Sequence, residues 1–232
     1  MMHSDPMEYY YNNVPEKGLC RNNLIYTSLI NNDKTVFCQW FYNDKNYHKD
    51  QNQIVDPKLM DEKWEREVNF LTLMSENYPE HVPQILEIDH SNKKIFLRIN
   101  GSDFWQESGC NSKNFDKVCP DWRKQIIEII QSHYKLGFHK YSMHPSSFFL
   151  INGKLKSINY FFSYFKTEPY ISIKHVESHI HLNRQIELKK YLSDLKINWH
   201  EEYSWNTMDK LCWLSFQNNY PIDFINQVLD II

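Results

Sequence analysis

Glycine is scarce in this chain, at five of 232 residues. A loop that wraps a phosphate brings backbone amides to a distance at which a Cβ would collide, and glycine is what permits it. Before Gly101 the only glycine is Gly18, so the N-terminal part carries no glycine-rich phosphate loop. Cysteines are few and unpaired in pattern. Cys20, Cys38, Cys110, Cys119 and Cys212 are odd in number and lack the close pairs of metal ribbons or dithiol motifs, which reads as reduced thiols in a cytoplasmic compartment. There is no basic run, and the formal net charge is -3. That balance argues against duplex nucleic acid or an anionic membrane as a partner. No apolar run approaches the length of a membrane span, and MMHSDPMEYYYNN at the start has neither the basic end nor the apolar core of a signal peptide. The expectation is a soluble, cytoplasmic protein.

What is present is apolar and aromatic: 41% hydrophobic and 16% aromatic residues, enough for a folded core in one large domain or two packed lobes. Residues 1–19 are polar and rich in Tyr and Asn, and read as a loosely held arm. Leu24–Ile30 and Lys34–Tyr42 are β-rich runs around the turn Asn31-Asn32-Asp33. Asp56-Pro57 opens a helix to about Asn77, with Trp64, Val68, Leu71 and Met74 on one face. His81–Asp89 and Lys93–Ile99 alternate as a fourth and fifth strand around His90-Ser91-Asn92. Asn100-Gly101-Ser102 reads as a hinge, and Asp103–Cys119 as a loop without a period. Pro120-Asp121 starts a helix of Trp122, Ile126, Ile129, Ile130, His133 and Leu136, closed by Gly137. Ser163–Tyr170 reads as irregular, and residues 172–195, 205–218 and 221 to the end as helices.

The stretch LGFHKYSMHPSSFFLINGKLKSINYFF, from Leu136 to Phe162, holds the most specific pattern. Met143-His144-Pro145 follows a helix, Asn152-Gly153-Lys154-Leu155-Lys156 forms a hairpin signature, and Ser157-Ile158-Asn159-Tyr160-Phe161 follows. This order resembles the catalytic loop, hairpin and metal-binding strand end of protein kinases and of aminoglycoside/choline kinase-like phosphotransferases. INGKLKSINYFF with HPSS before it is also similar to a family of short kinase-like proteins of marine bacteriophages. The resemblance implies an α+β, two-lobed kinase-like fold. Residues 1–19 would be an arm, 20–101 a small antiparallel N-lobe with an αC-like helix, and 102–232 a reduced helical C-lobe.

The residues at the chemical positions differ from those of the active enzymes. The resemblance puts Ser142 where the Asp that orients the nucleophile stands, Ser147 at the metal-binding Asn and Asn159 at the metal-binding Asp. Gln39, in Val36-Phe37-Cys38-Gln39, takes the place of the phosphate-binding Lys. Glu67 takes the place of the helix Glu that pairs with that Lys, and His144 serves as loop scaffold. Hard divalent cations want anionic oxygens, and Ser142, Ser147 and Asn159 offer none. The implied protein is a pseudokinase, a protein-binding or regulatory module without cofactor. An active phosphotransferase using ATP and magnesium, with Asp103, Asp116 or Glu67 moved into the site, is the alternative, and a virion or assembly component that oligomerises through aromatic surface is the second.

Three other constellations have plainer readings. His175 and His179 lie four apart and, with His181, suggest zinc, but no Glu follows the first His and a third ligand is not identifiable. His139 and His144 flank Ser142 and Ser147 as base and nucleophile would, without the turn that exposes a nucleophilic serine. Tyr160-Phe161-Phe162-Ser163-Tyr164-Phe165 could stack nucleobases, yet core packing explains such a run more simply.

Overall fold

The computed structural model describes residues 20–21, 25–29, 35–41, 57–168, 171–172, 202–203 and 205–232. They form a mixed α+β structure of small antiparallel sheets and several helices, in two compact units. The described residues of Met1–Ser102 together with Phe149–Phe161 make the first, and Asp103–Phe148 with the described residues of Phe162–Ile232 make the second.

The first unit is built on a five-stranded sheet of β1 (Cys20–Arg21), β2 (Ile25–Leu29), β3 (Val36–Trp40), β4 (Gln84–Asp89) and β5 (Lys94–Arg98), in the order β1-β2-β3-β5-β4. Every neighbouring pair is antiparallel. The β-rich runs and turn residues of the sequence dictate these pairings. Central β3 is covered on both faces, as period-2 alternation requires. Val36 and Cys38 join Phe96 and Leu86 on one face, whereas Phe37, Gln39 and Phe41 alternate onto the other.

Helix α1 (Pro57–Asn77) opens with proline in its first turn. It buries Lys63, Trp64, Glu67, Phe70, Leu71 and Met74, a wider stripe than the apolar pattern alone predicts, with two ionisable residues inside it. Just past its end, Lys156 Nζ donates to the carbonyls of Pro79 at 3.3 Å and Glu80 at 2.6 Å, and burial pushes the Lys156 pKa down. Strands β6 (Phe138–Lys140), β7 (Phe148–Ile151) and β8 (Lys154–Ser157) follow in the chain. The β7–β8 turn places Asn152 at φ 52 and Gly153 at φ 75, the mirror-image turn that Asn-Gly favours. Leu150 N donates to Ser102 O at 3.0 Å. A Cβ on Gly101 would lie 2.1 Å from Leu150 O, so only glycine lets the expected hinge approach the hairpin this closely.

The second unit holds α2 (Phe104–Glu107), α3 (Phe115–Val118), α4 (Trp122–Lys135), β6, β9 (Ser163–Phe165), β10 (Ile171–Ser172), β11 (Glu202–Tyr203), α5 (Trp205–Ser215) and α6 (Ile222–Leu229). Its core centres on Trp122, with ring centroids 5.0 Å from Phe115, 6.0 Å from Tyr220 and 4.5 Å from Phe224. Gly137, at φ 77, ends α4 as expected. Three expectations change here. The loop 103–119 contains α2 and α3, because Asp103 caps the first turn by accepting from Gln106 N at 3.0 Å and four-residue helices are too short to show a period. Ser163–Phe165, read as irregular, is a strand antiparallel to β6, with Lys140 opposite Ser163. Ser172, expected to begin a helix, lies in β10 opposite Glu202. The remainder of that expected helix, with His175, His179 and His181, lies outside the described residues. Among the described residues, no helix is long and apolar enough to cross a membrane.

Candidate functional site

In the first unit, the inward face of β3 meets β7 and the segment after β8. Phe37 packs on Phe149 with centroids 5.1 Å apart, and Phe41 on Phe161 at 6.2 Å. Between these aromatic pairs, Gln39 Nε2 donates to Asn159 Oδ1 at 3.0 Å. Gln39 is fully buried, and its other amide atom, Oε1, has no hydrogen-bond partner. Asn159 sits at φ 66, a conformation that asparagine tolerates better than other non-glycine residues. The bend there sends Tyr160 and Phe161 inward, both buried. Burial raises the pKa of the Tyr160 phenol, with the Glu67 carboxylate adding to the effect.

Glu67 is fully buried on α1, and its Oε2 accepts the Phe161 backbone N–H at 2.7 Å. One turn earlier, the Lys63 ammonium lies 5.9 Å from the Phe161 ring centroid, a cation–π distance. Lys63 is 4% exposed, and desolvation pulls its pKa down to about 8. The residues expected to hold a phosphate and a metal thus form a neutral amide pair beside a buried carboxylate that is bonded to backbone. This donor set does not suit a magnesium nucleotide. Gln39 brings no charge, and Asn159 spends its carbonyl oxygen on Gln39.

The other expected positions lie in the second unit, in the loop after β6. Ser142 Oγ and Ser147 Oγ are 3.1 Å apart, so each hydroxyl's neighbour is the other. The carbonyls of Tyr141, Ser142 and Met143 each receive a side-chain donor: Cys212 Sγ at 3.2 Å, Lys140 Nζ, and Tyr220 Oη at 2.8 Å. Tyr141 N donates to Phe162 O at 3.0 Å. His144 Nδ1 accepts the Ser146 backbone N–H at 3.1 Å, and Ser146 Oγ lies 2.8 Å from the same nitrogen. The Asn219 side-chain nitrogen Nδ2 stands 2.9 Å from Nε2. His144 is therefore a scaffold residue held at both nitrogens.

His139 is 1% exposed; its Nδ1 bonds Asp209 Oδ2, and Tyr134 Oη donates to the same oxygen at 2.9 Å. Burial, then the Asp209 charge, raises the Tyr134 pKa, and the same two causes raise that of the Cys212 thiol. The imidazole thus anchors α5 to β6 while the serines bond each other. Sequence reading missed Asp209, Asn219 and Lys140. An Asp and an Asn among the apolar positions of a C-terminal helix and its exit, and a Lys at the end of β6, were the available signals. Tyr160, Phe161 and Phe162 are buried, so their faces are unavailable for nucleobase stacking.

Among the described residues, no group of three or more His, Cys, Asp or Glu side chains is arranged to hold a metal ion. Two of the carboxylates considered as replacement ligands have structural roles: Asp103 caps α2, and Asp116 accepts from Trp122 Nε1 at 2.9 Å. No protein-family model matches this chain, and none of the curated proteins matches it.

Proposed function

We propose that this chain is a catalytically inactive kinase-like protein of two-lobed fold that acts as a protein-binding or regulatory module. The observation that carries the reading is the Gln39–Asn159 hydrogen bond. At the positions where the resemblance puts a lysine and a metal-binding aspartate, two neutral amides bond each other, enclosed by aromatic pairs. Phosphoryl transfer relies on charge placed around the phosphates and metal ions, and amides with their hydrogen bonds spent on each other supply little of it. The hydroxyl pair of Ser142 and Ser147 supports the same reading, because neither side chain brings an anionic oxygen. The similarity to short kinase-like phage proteins suits such a module in a host cytoplasm, with a protein as its partner and no duplex nucleic acid or membrane.

The alternative, an active phosphotransferase that takes up ATP and magnesium, needs carboxylates freed for the metal. Asp103, Asp116 and Glu67 each accept a structural hydrogen bond, which weighs against it. Isothermal titration with ATP and magnesium separates the two. The expected result is no saturable magnesium-dependent heat, from the unmodified protein or from Asn159→Asp. Saturable binding by the unmodified protein overturns the proposal.

A further inference from the structure

We propose that Asn159–Phe161 is a two-point latch, which holds the segment after β8 against β3 and α1 without any ligand and opens as a local unit. The proposal deepens the reading of this site as a pseudokinase cleft and rests on it. Its first point is the Gln39–Asn159 bond and its second is Glu67 Oε2 to the Phe161 amide. The two points lie two residues apart in the chain and reach different elements, so Tyr160 between them is fixed from both sides. The Phe41–Phe161 contact and the Lys63 ammonium near the Phe161 ring lie on the same residue as the second point.

Two features mark this as a poised device rather than plain core. Asn159 is held at φ 66, a backbone state that costs free energy and persists only where surrounding bonds impose it. Gln39 Oε1 is buried without a partner, and opening lets water reach it, which lowers the cost of opening. Any molecule that uses the Gln39 or Asn159 amide must first wait for the latch to open, so its apparent affinity falls with the closed fraction. The closed latch takes the place a ligand would hold.

Native-state hydrogen exchange on the full chain reads the latch directly, because the Phe161 amide is one of its two bonds. The variants are Asn159→Gly, which keeps the positive φ available, Glu67→Ala and the conservative Glu67→Gln. We expect Phe161 exchange to accelerate at least about tenfold in Asn159→Gly and Glu67→Ala, with Ile126–Ile130 of α4 unchanged within about twofold. Glu67→Gln retains an acceptor oxygen and should restore protection to within about threefold. Acceleration spread equally over Phe161 and α4, or none at Phe161, overturns the latch. If the Glu67 variants fail to fold, Asn159→Gly alone decides. Titrating the same samples with ATP and magnesium tests the pseudokinase reading separately: binding by the unmodified protein sinks that reading, while exchange alone judges the latch.

Discussion

The two units treat their polar interiors in opposite ways. In the first, the central pair is neutral: Gln39 bonds Asn159 between aromatic rings. In the second, the ionisable pair His139–Asp209 is kept and buried, with Tyr134 donating to the same carboxylate. The first sets that neutral pair beside the buried Glu67, whose carboxylate accepts the Phe161 amide. The second retains ionisable groups but commits them to holding α5 on β6, and through Cys212 and Tyr220 to holding the loop carbonyls. A buried charge committed to structural bonds is therefore no sign of chemistry. What distinguishes a working site is charge left unspent by the scaffold.

The comparison breaks most readily at Asp209. Removing one member of a buried pair leaves the others desolvated without compensation, which costs about 3–5 kcal/mol. Asp209→Ala should lose that much in denaturant unfolding, with Tyr134 and His139 both left without their shared acceptor. A loss below about 1 kcal/mol would show the pair to be solvated and no more costly than a surface ion pair.

Much of the fold was legible because it rests on periodicity and turn chemistry. The alternation of β4 and β5, the stripe of α4, the Asn152-Gly153 turn and the Gly137 cap all followed from local residues. Ser163–Phe165 was not legible, because three residues show no period and its strand character comes from its partner β6. The short helices α2 and α3 failed for the same reason of length. For the candidate site, the resemblance picked out Gln39, Ser142, Ser147 and Asn159. It could not show that the two serines bond each other, or that Glu67 takes the Phe161 amide, because those choices depend on three-dimensional neighbours. Asp209 was unreadable since its partner His139 lies seventy residues away in sequence.

Lys63 sharpens the contrast, as a buried cation near the neutral site whose protonation burial opposes. Its folded pKa is about 8 against 10.5 for the free side chain. Between those values the unfolded chain binds more protons than the folded one, so stability rises with pH across that window and levels off above it. Below pH 8 the cost of burying the charge is felt in full. The rise should reach at most about 3 kcal/mol, at 1.36 kcal/mol per unit. Denaturant unfolding at several pH values should show this slope, and Lys63→Met should abolish it while raising stability at neutral pH. A slope unchanged by Lys63→Met would mean that another group titrates there.

The smallest expected effect tests the neutral pair itself. A hydrogen bond between uncharged groups contributes about 1 kcal/mol net, several-fold less than the ionisable pair of the second unit. A double-mutant cycle of Gln39→Ala and Asn159→Gly isolates that coupling, since the backbone effect of glycine appears in both arms and cancels. Coupling near about 1 kcal/mol is expected from denaturant midpoints at constant m-value. Coupling close to zero would make the amide contact incidental, with the aromatic pairs alone closing the segment. Coupling of about 3 kcal/mol or more would match a charged pair instead, and the contrast between the two units would fail.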